Sequence, residues 1–234
     1  YFGNYKCLQY RAKHFFAPVH VQTVADKNGM KVVFVNDSAE KFTGSVKVEV
    51  ASFGGEKVYA GSFPVEAESG FNAELCSLSA EELGGAGKLR ECYVVATVTD
   101  GSDRETERST ALFFNENKLR LPAANVRAEV VGTEDGRAVI EVSSDKYARF
   151  VRLYTDITTA PFDDNFFDLL PGEKKRVTVS LGGADAAEFA ASLKVRHLAQ
   201  VEKGESRFVQ NLKRLSIFLI PINFFSYIYY RWLI

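Results

Sequence analysis

The sequence predicts an all-β protein in which two tandem immunoglobulin-like β-sandwiches follow a single helix. Three observations favour this fold class. Hydrophobic and polar residues alternate over short segments, glycine-containing turns separate these segments, and no helical pattern alternates with them. The last observation argues against a parallel α/β domain. With 234 residues, of which 46% are hydrophobic, the chain is long enough for two domains with separate cores.

Residues 1–17 are predicted to form one helix, which Pro18 ends. Apolar residues recur at helical spacing on one face, namely Tyr5, Leu8, Ala12, Phe15 and Phe16. No neighbouring segment has the pattern of a helical partner, so we expect the last helix of a preceding domain, with its apolar stripe exposed. The chain begins with Tyr1 rather than Met, and we therefore expect the gene product to continue upstream.

Residues 18–115 are predicted to form the first sandwich. Its first two strand segments, VHVQTVA and MKVVFVN, flank an Asn28-Gly29 pair that predicts a hairpin turn. The other strand segments are residues 44–51, 57–65, 70–76, 91–99 and 108–114. Seven short strands over about 100 residues are typical of an immunoglobulin-like domain. The segment SAEEL, which starts at Ser79, has a capping pattern and predicts a single helical turn.

Residues 116–123 are mostly polar, contain Pro122 and are predicted to be a linker. A second sandwich is expected over residues 124–205. Its strand segments are residues 125–132, 137–143, 148–155, 165–170, 175–181 and 193–198. Turns are predicted at Asp135-Gly136 and Pro171-Gly172. Six strands indicate a smaller sandwich than the first.

The final segment, residues 206–234, is an atypical apolar tail. A helix over residues 215–234 would be just long enough to cross a bilayer, which needs about 20 residues. Pro221 and the polar or charged residues Asn223, Ser226 and Arg231 lie inside this stretch. Polar groups at membrane depth are costly, so we expect no membrane contact through the tail. A frameshift in AT-rich codons is favoured over a real anchor, although the sequence leaves open whether the tail is native.

Charge and cysteine content exclude several classes of function. The formal net charge of −1 argues against nucleic acid as a partner, since phosphate binding needs an excess of Lys and Arg. Cys7, Cys76 and Cys92 match no zinc or redox spacing. Cys76 and Cys92 could pair, but the favoured interpretation is that they are small buried apolar residues. The glycosylation sequon Asn36-Asp37-Ser38 is a triplet expected by chance in a chain of this length.

No pattern predicts a catalytic, cofactor-binding or metal-binding residue, and we expect no cofactor. His14, His20 and His197 are far apart in the sequence and have no second ligand at metal spacing. We expect them at the surface or between domains. No phosphate-binding loop, Gly-x-Ser-x-Gly motif or Cys-His pair occurs.

One cluster of carboxylates lies beside aromatic residues, and consists of Asp163, Asp164 and Asp168 with Phe162, Phe166 and Phe167. Such a composition is compatible with sugar stacking and hydrogen bonding. A structural role is favoured, because the turn residues Asp164-Asn165 and Pro171-Gly172 flank an apolar strand. Successive strand residues face opposite sides, so one of Phe166 and Phe167 should lie in the core and the other against a neighbouring loop or domain.

Three motifs occur in order along the chain: YFGNYKCLQYRAKHFFAPV at its start, FFNENKLRLP from Phe113, and DNFFDLLPGE from Asp164. They resemble the C-terminal region of a β-mannosidase of glycoside hydrolase family 2. The first is similar to the closing helix of that family's catalytic (β/α)8 barrel. The second is similar to the join between its two C-terminal immunoglobulin-like domains, and the third to a signature of the last domain. The resemblance covers nearly the whole chain except the tail.

This resemblance implies a parent enzyme that hydrolyses terminal β-D-mannosides with retention, using two Glu residues about 5 Å apart at the ends of barrel strands. Those strands would lie upstream of Tyr1. The chain is therefore expected to be inactive alone, with a structural role beside the barrel and substrate contact only through the parent. Asn115-Glu116 resembles the family's Asn-Glu acid/base pair but is expected to be an exposed loop. An extracytoplasmic or lysosomal-type compartment is suggested by the resemblance only.

Two alternatives stay open. A carbohydrate-binding or interaction module can share the sandwich, since fold does not fix function. An exposed row of aromatic residues would favour that module, whereas most aromatic residues here alternate with polar ones and are expected to point inward. Exo-β-glucosaminidases and endo-β-mannosidases of the same family have similar C-terminal domains, so the substrate of the parent is left open.

Overall fold

The computed structural model describes residues 5–119 and 121–202. The chain divides into two compact units, Tyr1–Ala199 and Gln200–Ile234, and both sandwiches lie in the first. The apolar tail predicted for residues 206–234 lies outside the described residues. Within the described residues, no helix is both long and apolar enough to cross a membrane.

Helix α1 spans Cys7–Phe15. Its first turn is closed by Gln9, whose side chain accepts a hydrogen bond from the Lys6 backbone N–H at 2.8 Å. Pro18 follows shortly after the last turn and cannot continue a helix. The predicted stripe is exposed, as its residues Tyr5, Leu8, Phe15 and Phe16 show. The opposite face of α1, which carries the buried Tyr10, packs against the sandwiches.

The first sandwich has the seven strands that the sequence predicts. They are β1 (Val19–Asp26), β2 (Gly29–Asn36), β3 (Phe42–Ser52), β4 (Lys57–Ala67), β5 (Phe71–Ser79), β6 (Cys92–Asp100) and β7 (Glu105–Leu112). One sheet has the order β1-β2-β5 and the other β4-β3-β6-β7, with antiparallel pairing throughout. Fully buried valines fill the space between the sheets, among them Val32, Val46, Val48, Val50, Val94 and Val98. The alternation of β-branched and polar residues thus produces both the strands and their core.

The first hairpin turns one residue earlier than predicted. Asp26 pairs with Gly29, so the loop residues are Lys27 and Asn28 instead of Asn28 and Gly29. The Asp26 carboxylate accepts a hydrogen bond from the Asn28 backbone N–H at 2.7 Å, which stabilises this tighter position of the turn. Gly29 begins β2 with φ 145°, and a Cβ there would collide with the carbonyl oxygen of Leu78 on β5. The glycine is therefore required for the close approach of two strands.

The segment that starts at Ser79 forms the single predicted turn. The Glu82 carboxylate accepts hydrogen bonds from the Ser79 backbone N–H at 2.7 Å and from its hydroxyl at 2.8 Å. Gly84 and Gly85, both with φ 92°, end the turn. A short 3₁₀ helix, Lys88–Glu91, follows and was not predicted.

The second sandwich has the six predicted strands. They are β8 (Val126–Glu134), β9 (Arg137–Ser144), β10 (Ala148–Tyr154), β11 (Phe167–Leu169), β12 (Lys174–Ser180) and β13 (Lys194–Arg196). They form the three-stranded sheets β12-β9-β8 and β11-β10-β13. Strands β8 and β9 are joined at Asp135-Gly136 as predicted, with positive φ at both residues. The all-β prediction with two sandwiches and one leading helix is confirmed.

Two further helices were not predicted, α2 (Ala186–Ser192) and α3 (Leu198–Glu202). Asp185 caps α2 by accepting hydrogen bonds from the backbone N–H groups of Ala187 and Glu188 at 2.9 and 3.0 Å. Phe189 projects from α2 into the core of the second sandwich, where it is fully buried. The helix therefore closes one end of that core.

Candidate functional site

The two sandwiches meet at a junction with an aromatic centre. The ring of Tyr147, from the second sandwich, stacks on Phe53 and Tyr93 of the first, with ring centroids 5.4 and 4.6 Å apart. The Tyr147 backbone N–H also donates to the Phe53 carbonyl oxygen at 3.0 Å. Further apolar residues surround the rings, namely Ala51, Val95, Leu112, Leu119, Leu121 and Leu170. Stacked aromatic rings thus connect the domains directly.

Asp168 on β11 is a buried carboxylate beside this cluster. Its Oδ2 atom accepts hydrogen bonds from Thr110 Oγ1 at 2.6 Å, the Tyr147 hydroxyl at 2.8 Å and Arg149 Nη1 at 3.1 Å. Its Oδ1 atom accepts one from the Phe150 backbone N–H at 3.0 Å. Burial, followed by the charge of Asp168, raises the pKa of Tyr147 well above its usual value, so the tyrosine remains a donor. Four donors from both sandwiches therefore satisfy one carboxylate.

Arg149 extends this network to the linker. Its Nε and Nη2 atoms donate to Glu116 Oε1 at 3.0 and 2.8 Å. Glu116 begins a 3₁₀ helix, Glu116–Lys118, and is half-buried, so the expectation that Asn115-Glu116 is merely an exposed loop is wrong for Glu116. The reason is the buried guanidinium, which needs carboxylate partners. Burial lowers the pKa of Arg149, but its interactions with Asp168, Tyr147 and Glu116 together outweigh burial and raise it.

The backbone around Arg149 is irregular. The register between β10 and β11 shifts between Ala148 and Val151, which indicates a bulge. Phe150, inside the bulge, has φ 50°, and Phe166 just before β11 has φ 58°. Positive φ is uncommon for bulky residues and costs about 1–2 kcal/mol. Such a bulge can re-aim side chains, and here Arg149 contacts Asp168.

A second ion pair crosses the junction, between Arg108 on β7 and Glu173. Arg108 Nη1 lies 2.7 Å from Glu173 Oε1, and its Nη2 lies 2.8 Å from Glu105 Oε2. The other oxygen of Glu173 accepts a hydrogen bond from the Leu170 backbone N–H at 2.8 Å. Burial lowers the pKa of Arg108, but the carboxylates of Glu173 and Glu105 reverse this and raise it. Arg108 therefore stays charged, and its contact with Glu173 links β7 to the second sandwich.

Helix α1 contacts both sandwiches through His14. Its Nδ1 atom lies 2.8 Å from Glu107 Oε1 on β7, and its Nε2 atom lies 3.9 Å from Asp164 Oδ1 of the second sandwich. Asp164 also pairs with Lys175 on β12 at 2.8 Å. The two carboxylates, Asp164 first and Glu107 second, raise the pKa of His14 to about 9, so the ring is an imidazolium at neutral pH. Burial raises the pKa of Asp164, but His14 and Lys175 outweigh it and lower the value to about 2.

The two adjacent phenylalanines divide as predicted. Phe167 is buried in the core of the second sandwich. Phe166 is half-buried and covers α1, with its ring centroid 6.0 Å from that of Tyr10. The positive φ at Phe166 accompanies this change of direction.

Asp163 and Asn165 fix the same segment to neighbouring strands. The two carboxylate oxygens of Asp163 accept hydrogen bonds from the Thr178 backbone N–H at 2.8 Å and its hydroxyl at 3.0 Å. The Asn165 side chain accepts from the Leu153 backbone N–H at 2.8 Å and donates to its carbonyl oxygen at 2.9 Å. Asp163, Asp164 and Asp168 therefore all bind protein groups, which supports the structural interpretation over a sugar site. The partners in the first sandwich and in α1 were not predicted.

The other two histidines have little exposure to solvent. His20 and His197 are 7% and 2% exposed, so neither lies at the surface. The His20 Nδ1 atom lies 2.8 Å from the Ala17 carbonyl oxygen, a local contact that allows the ring to be buried. In the described part of the chain, no group of three His, Cys, Asp or Glu residues could hold a metal ion.

Two further predicted sites are structural in the folded chain. Cys76 and Cys92 are free and buried, as favoured, and do not form a disulfide with each other. Asn36 of the sequon is fully buried, and its amide donates to the carbonyl oxygens of Glu40 and Ala67 at 3.0 and 2.9 Å. The side-chain oxygen of Asn36 accepts from the Ser38 hydroxyl at 2.6 Å. This amide is engaged by the fold and closed to glycosylation in the folded domain.

A cleft of about 720 Å³ lies beside α1, where β1 and β7 of the first sandwich face the segments around β11 and β12. Its charged lining residues include His14, Glu107, Arg108, Asp164 and Lys175. These residues pair with one another or with their neighbours. A general acid needs a raised pKa, whereas that of Asp164 is lowered to about 2. The charged residues of the cleft are thus engaged in ion pairs that join the surrounding elements.

Comparison with known families gives two consecutive matches. Residues 28–118 match the model described as a mannosidase Ig/CBM-like domain. Residues 121–201 match the Ig-fold domain model of mannosidases. The two matches cover the two sandwiches in sequence order. A comparison with curated protein sequences gave no match.

Solved structures are similar over most of the chain. The β-D-mannosidase from Dictyoglomus thermophilum aligns with a TM-score of 0.69 and 21% identity, covering 80% of this chain and 22% of that one. The exo-chitosanase CsxA from Amycolatopsis orientalis aligns with a TM-score of 0.55 and 17% identity, covering 81% of this chain and 26% of that one. These likenesses are at the level of the fold. The chain spans about a quarter or less of the length of each.

Proposed function

Because residues 28–118 and 121–201 belong to the mannosidase immunoglobulin-like domain families, we propose that the chain is the structural accessory region of a family 2 β-mannosidase. These two domains are the ones expected in the C-terminal region of such an enzyme. In this proposal, none of the residues that the structure describes takes part in catalysis. The parent hydrolyses terminal β-D-mannosides with retention, through two carboxylates about 5 Å apart that lie outside this chain.

The observation that carries this proposal is the junction. Asp168 receives donors from both sandwiches, and Arg108 pairs with Glu173 across them. His14 joins α1 to Glu107 and Asp164. Two domains and a helix held by directional contacts form a rigid support, which is what an accessory region needs in order to hold a neighbouring domain in place.

The ionisation of the junction carboxylates supports a structural role. A retaining glycosidase needs one carboxyl group with a raised pKa as its acid. The pKa of Asp164 is lowered to about 2, because His14 and Lys175 outweigh the effect of burial. The pKa of Glu116 is also lowered, because its hydrogen bonds and Arg149 outweigh burial. Both remain ionised and bound to cations, so neither suits proton transfer to a leaving group.

The partner of this region is the catalytic barrel of the same parent, and α1 is the point of contact. One face of α1 is fixed to the sandwiches through Tyr10 and His14. The other face exposes a stripe of large apolar side chains, Tyr5, Leu8, Phe15 and Phe16. Exposed apolar patches of several hundred Å² mark interaction surfaces. In the parent, α1 would contact the sandwiches with one face and the barrel with the other. This arrangement fits the resemblance of residues 1–17 to the closing helix of the catalytic barrel.

Assay of the purified chain with an aryl β-mannoside tests the absence of catalysis. We expect no turnover above a buffer blank. Turnover by homogeneous protein that is free of other glycosidases would overturn the proposal.

A double variant of the exposed stripe, Leu8→Ser with Phe16→Ser, tests the contact surface of α1. It should increase the solubility of the chain without lowering its melting temperature, because both side chains are exposed. A large loss of thermal stability would show that the stripe packs within this chain instead.

An exo-β-glucosaminidase-type parent is the second candidate. The similarity to an exo-chitosanase over 81% of the chain favours it. The family models, both of mannosidase domains, favour the β-mannosidase parent. Assay of the intact parent with aryl β-mannoside and aryl β-glucosaminide separates the two, and we expect preference for the mannoside.

A further inference from the structure

The outer face of β10 displays aromatic and basic residues in alternation. Val151 and Leu153 point into the core of the second sandwich and are buried. Phe150, Arg152 and Tyr154 occupy the alternate positions and are half-buried or exposed. The aliphatic residues thus fill the core, and the two aromatic residues lie on the outside with an arginine between them.

Strand β13 adds two cations to this face. In the antiparallel pairing, Arg196 lies directly opposite Arg152, and Lys194 lies opposite Tyr154. All three cations approach the Tyr154 ring, with Arg152 Cζ at 5.2 Å, Arg196 Cζ at 5.6 Å and Lys194 Nζ at 5.8 Å from its centroid. Asp156 pairs with Lys194 at 3.0 Å. Positive charge therefore exceeds negative charge here.

The pairing of β10 with β13 brings the positive charges of Arg152 and Arg196 together. Like charges directly opposite each other in an antiparallel pair are destabilising. Within the part of the chain that the structure describes, neither Arg152 nor Arg196 has a carboxylate partner, whereas Arg104, Arg108 and Arg149 each have at least one. The Tyr154 ring offsets part of the repulsion through cation–π contacts. Two unpaired guanidinium groups at one place are a site for an external anion.

The same pattern continues from β10 towards α1. Arg11 lies over the rings of Phe15 and Phe150, at 5.8 and 5.5 Å from their centroids. Arg152 also lies 5.8 Å from the Phe166 ring centroid. Phe150 and Phe166 both have positive φ, a strained conformation that tends to occur at ligand-binding sites. The basic and aromatic surface is therefore extended and not confined to one pocket.

We propose that this face, formed by Phe150, Arg152, Tyr154, Lys194 and Arg196, binds an acidic polysaccharide, that is, a sugar chain with carboxylate groups. Guanidinium groups bind carboxylates in a bidentate manner, and here the Tyr154 ring holds two of them side by side through cation–π contacts. The two aromatic positions on β10 are four residues apart, about 13 Å along a strand, so the surface suits an extended ligand. An acidic peptide would instead use the strand edge or side-chain pockets. This proposal goes beyond the structural role and does not depend on it.

Calorimetric titration of the full chain with oligogalacturonate at low ionic strength tests it. We expect saturable binding that weakens as salt is added. Arg152→Gln should weaken binding about three- to fivefold, the scale of one solvent-exposed charge contact. Its matched control is Arg176→Gln, which removes one exposed strand arginine from the other sheet of the same sandwich and should leave affinity unchanged. Because Arg152→Gln relieves repulsion, its melting temperature should not fall.

Several outcomes would overturn the proposal. One is the absence of binding to oligogalacturonate at low salt. Another is an equal loss of affinity in Arg176→Gln, which would indicate diffuse charge attraction. If neutral manno-oligosaccharide bound as tightly as oligogalacturonate, the arginines would have no role in selecting the ligand. Tighter binding to polyglutamate or to phosphatidylserine vesicles would assign the surface to an acidic peptide or a membrane.

Discussion

The core of the first sandwich and the junction between the sandwiches are both buried, yet their chemistry is opposite. Fully buried valines dominate the core, for example Val46, Val48 and Val94. At the junction, Asp168 and Arg149 form an ion pair beside stacked tyrosines. Hydrophobic burial depends on area and has no direction, whereas hydrogen bonds and ion pairs require particular geometry.

This difference separates two tasks. A valine core drives each domain to fold but tolerates other apolar residues of similar volume. The junction favours one orientation between the domains, because Asp168 receives one of its four donors, the Thr110 hydroxyl, from the first sandwich. Loss of a core side chain removes its own contacts. Loss of a junction residue also leaves its partners buried and unpaired.

The largest effect is expected from Asp168→Ala. This change leaves Arg149, the Tyr147 hydroxyl and Thr110 without their shared acceptor. Breaking a buried pair from one side costs about 3–5 kcal/mol in the free energy of unfolding. Urea denaturation of the variant and the parent chain measures it.

Asp156→Ala provides the matched control. Asp156 also pairs with a cation, Lys194, but its side chain is 79% exposed, against 3% for Asp168. Loss of an exposed pair should cost about 1 kcal/mol or less. Equal destabilisation by the two changes would mean that the junction contributes no more than the surface, and the contrast drawn above would fail.

A somewhat smaller loss is expected from Phe167→Ala, which tests the apolar side of the comparison. Phe167 is buried in the second core, but Lys175 contacts its ring. We expect a loss of about 3 kcal/mol, at the lower end of the range for buried aromatic residues. Asp163→Ala removes exposed hydrogen bonds from Thr178 and from the Asp164 backbone N–H and should cost about 1 kcal/mol. If Asp163→Ala instead abolished binding to manno-oligosaccharide, a sugar site would be present there.

Coupling between substitutions should be smaller still, and it distinguishes the two regions directly. Thr110 and Tyr147 donate to the same oxygen of Asp168, so Thr110→Val and Tyr147→Phe should be non-additive by about 1 kcal/mol, within the range for shared partners. Val48→Ala and Val142→Ala, in the separate cores of the two sandwiches, should add within about 0.5 kcal/mol. Double-mutant cycles by urea denaturation supply both values. Additivity at Thr110 and Tyr147 would contradict a shared network.

Local periodicity was sufficient to predict much of this fold. The alternation of apolar and polar residues gave the strands, and Asp135-Gly136 gave one turn correctly. The helical spacing of α1 gave its exposed stripe. Helix α2 was missed although a signal existed, since Asp185 is followed three residues later by Glu188, as in a capping box.

The junction could not be predicted, because its partners come from separate segments. Thr110 and Asp168 are 58 residues apart, and no local pattern pairs them. The outer face of β10 is an exception to the expectation that most aromatic residues point inward. In that strand Val151 and Leu153 fill the core, so Phe150 and Tyr154 take the outer positions. The alternation of aliphatic and aromatic residues along β10 was the sequence signal for these outward positions.

The smallest predicted effect concerns pH, to which a valine core is indifferent and the junction is not. The folded-state pKa of His14, about 9, lies above its ordinary value of 6.5. Its stabilisation is therefore fully present below pH 6.5 and is lost as the pH rises through 9. Asp164, with a pKa lowered from 3.8 to about 2, contributes above pH 3.8 and loses its contribution as the pH falls towards 2. The contact between His14 and Asp164 therefore stabilises the fold fully between about pH 3.8 and pH 6.5.

Because the His14 side chain is 38% exposed, solvent screens the pair and we expect less than about 1 kcal/mol from it. The free energy of unfolding should decline from pH 6 to pH 9.5, and His14→Gln should make this decline shallower. Lys13→Gln removes a neighbouring exposed cation of α1 and should leave the decline unchanged. An unaltered pH dependence in His14→Gln would mean that the imidazolium does not hold α1 against the two sandwiches, and the helix would then depend on other contacts, such as that between Tyr10 and Phe166.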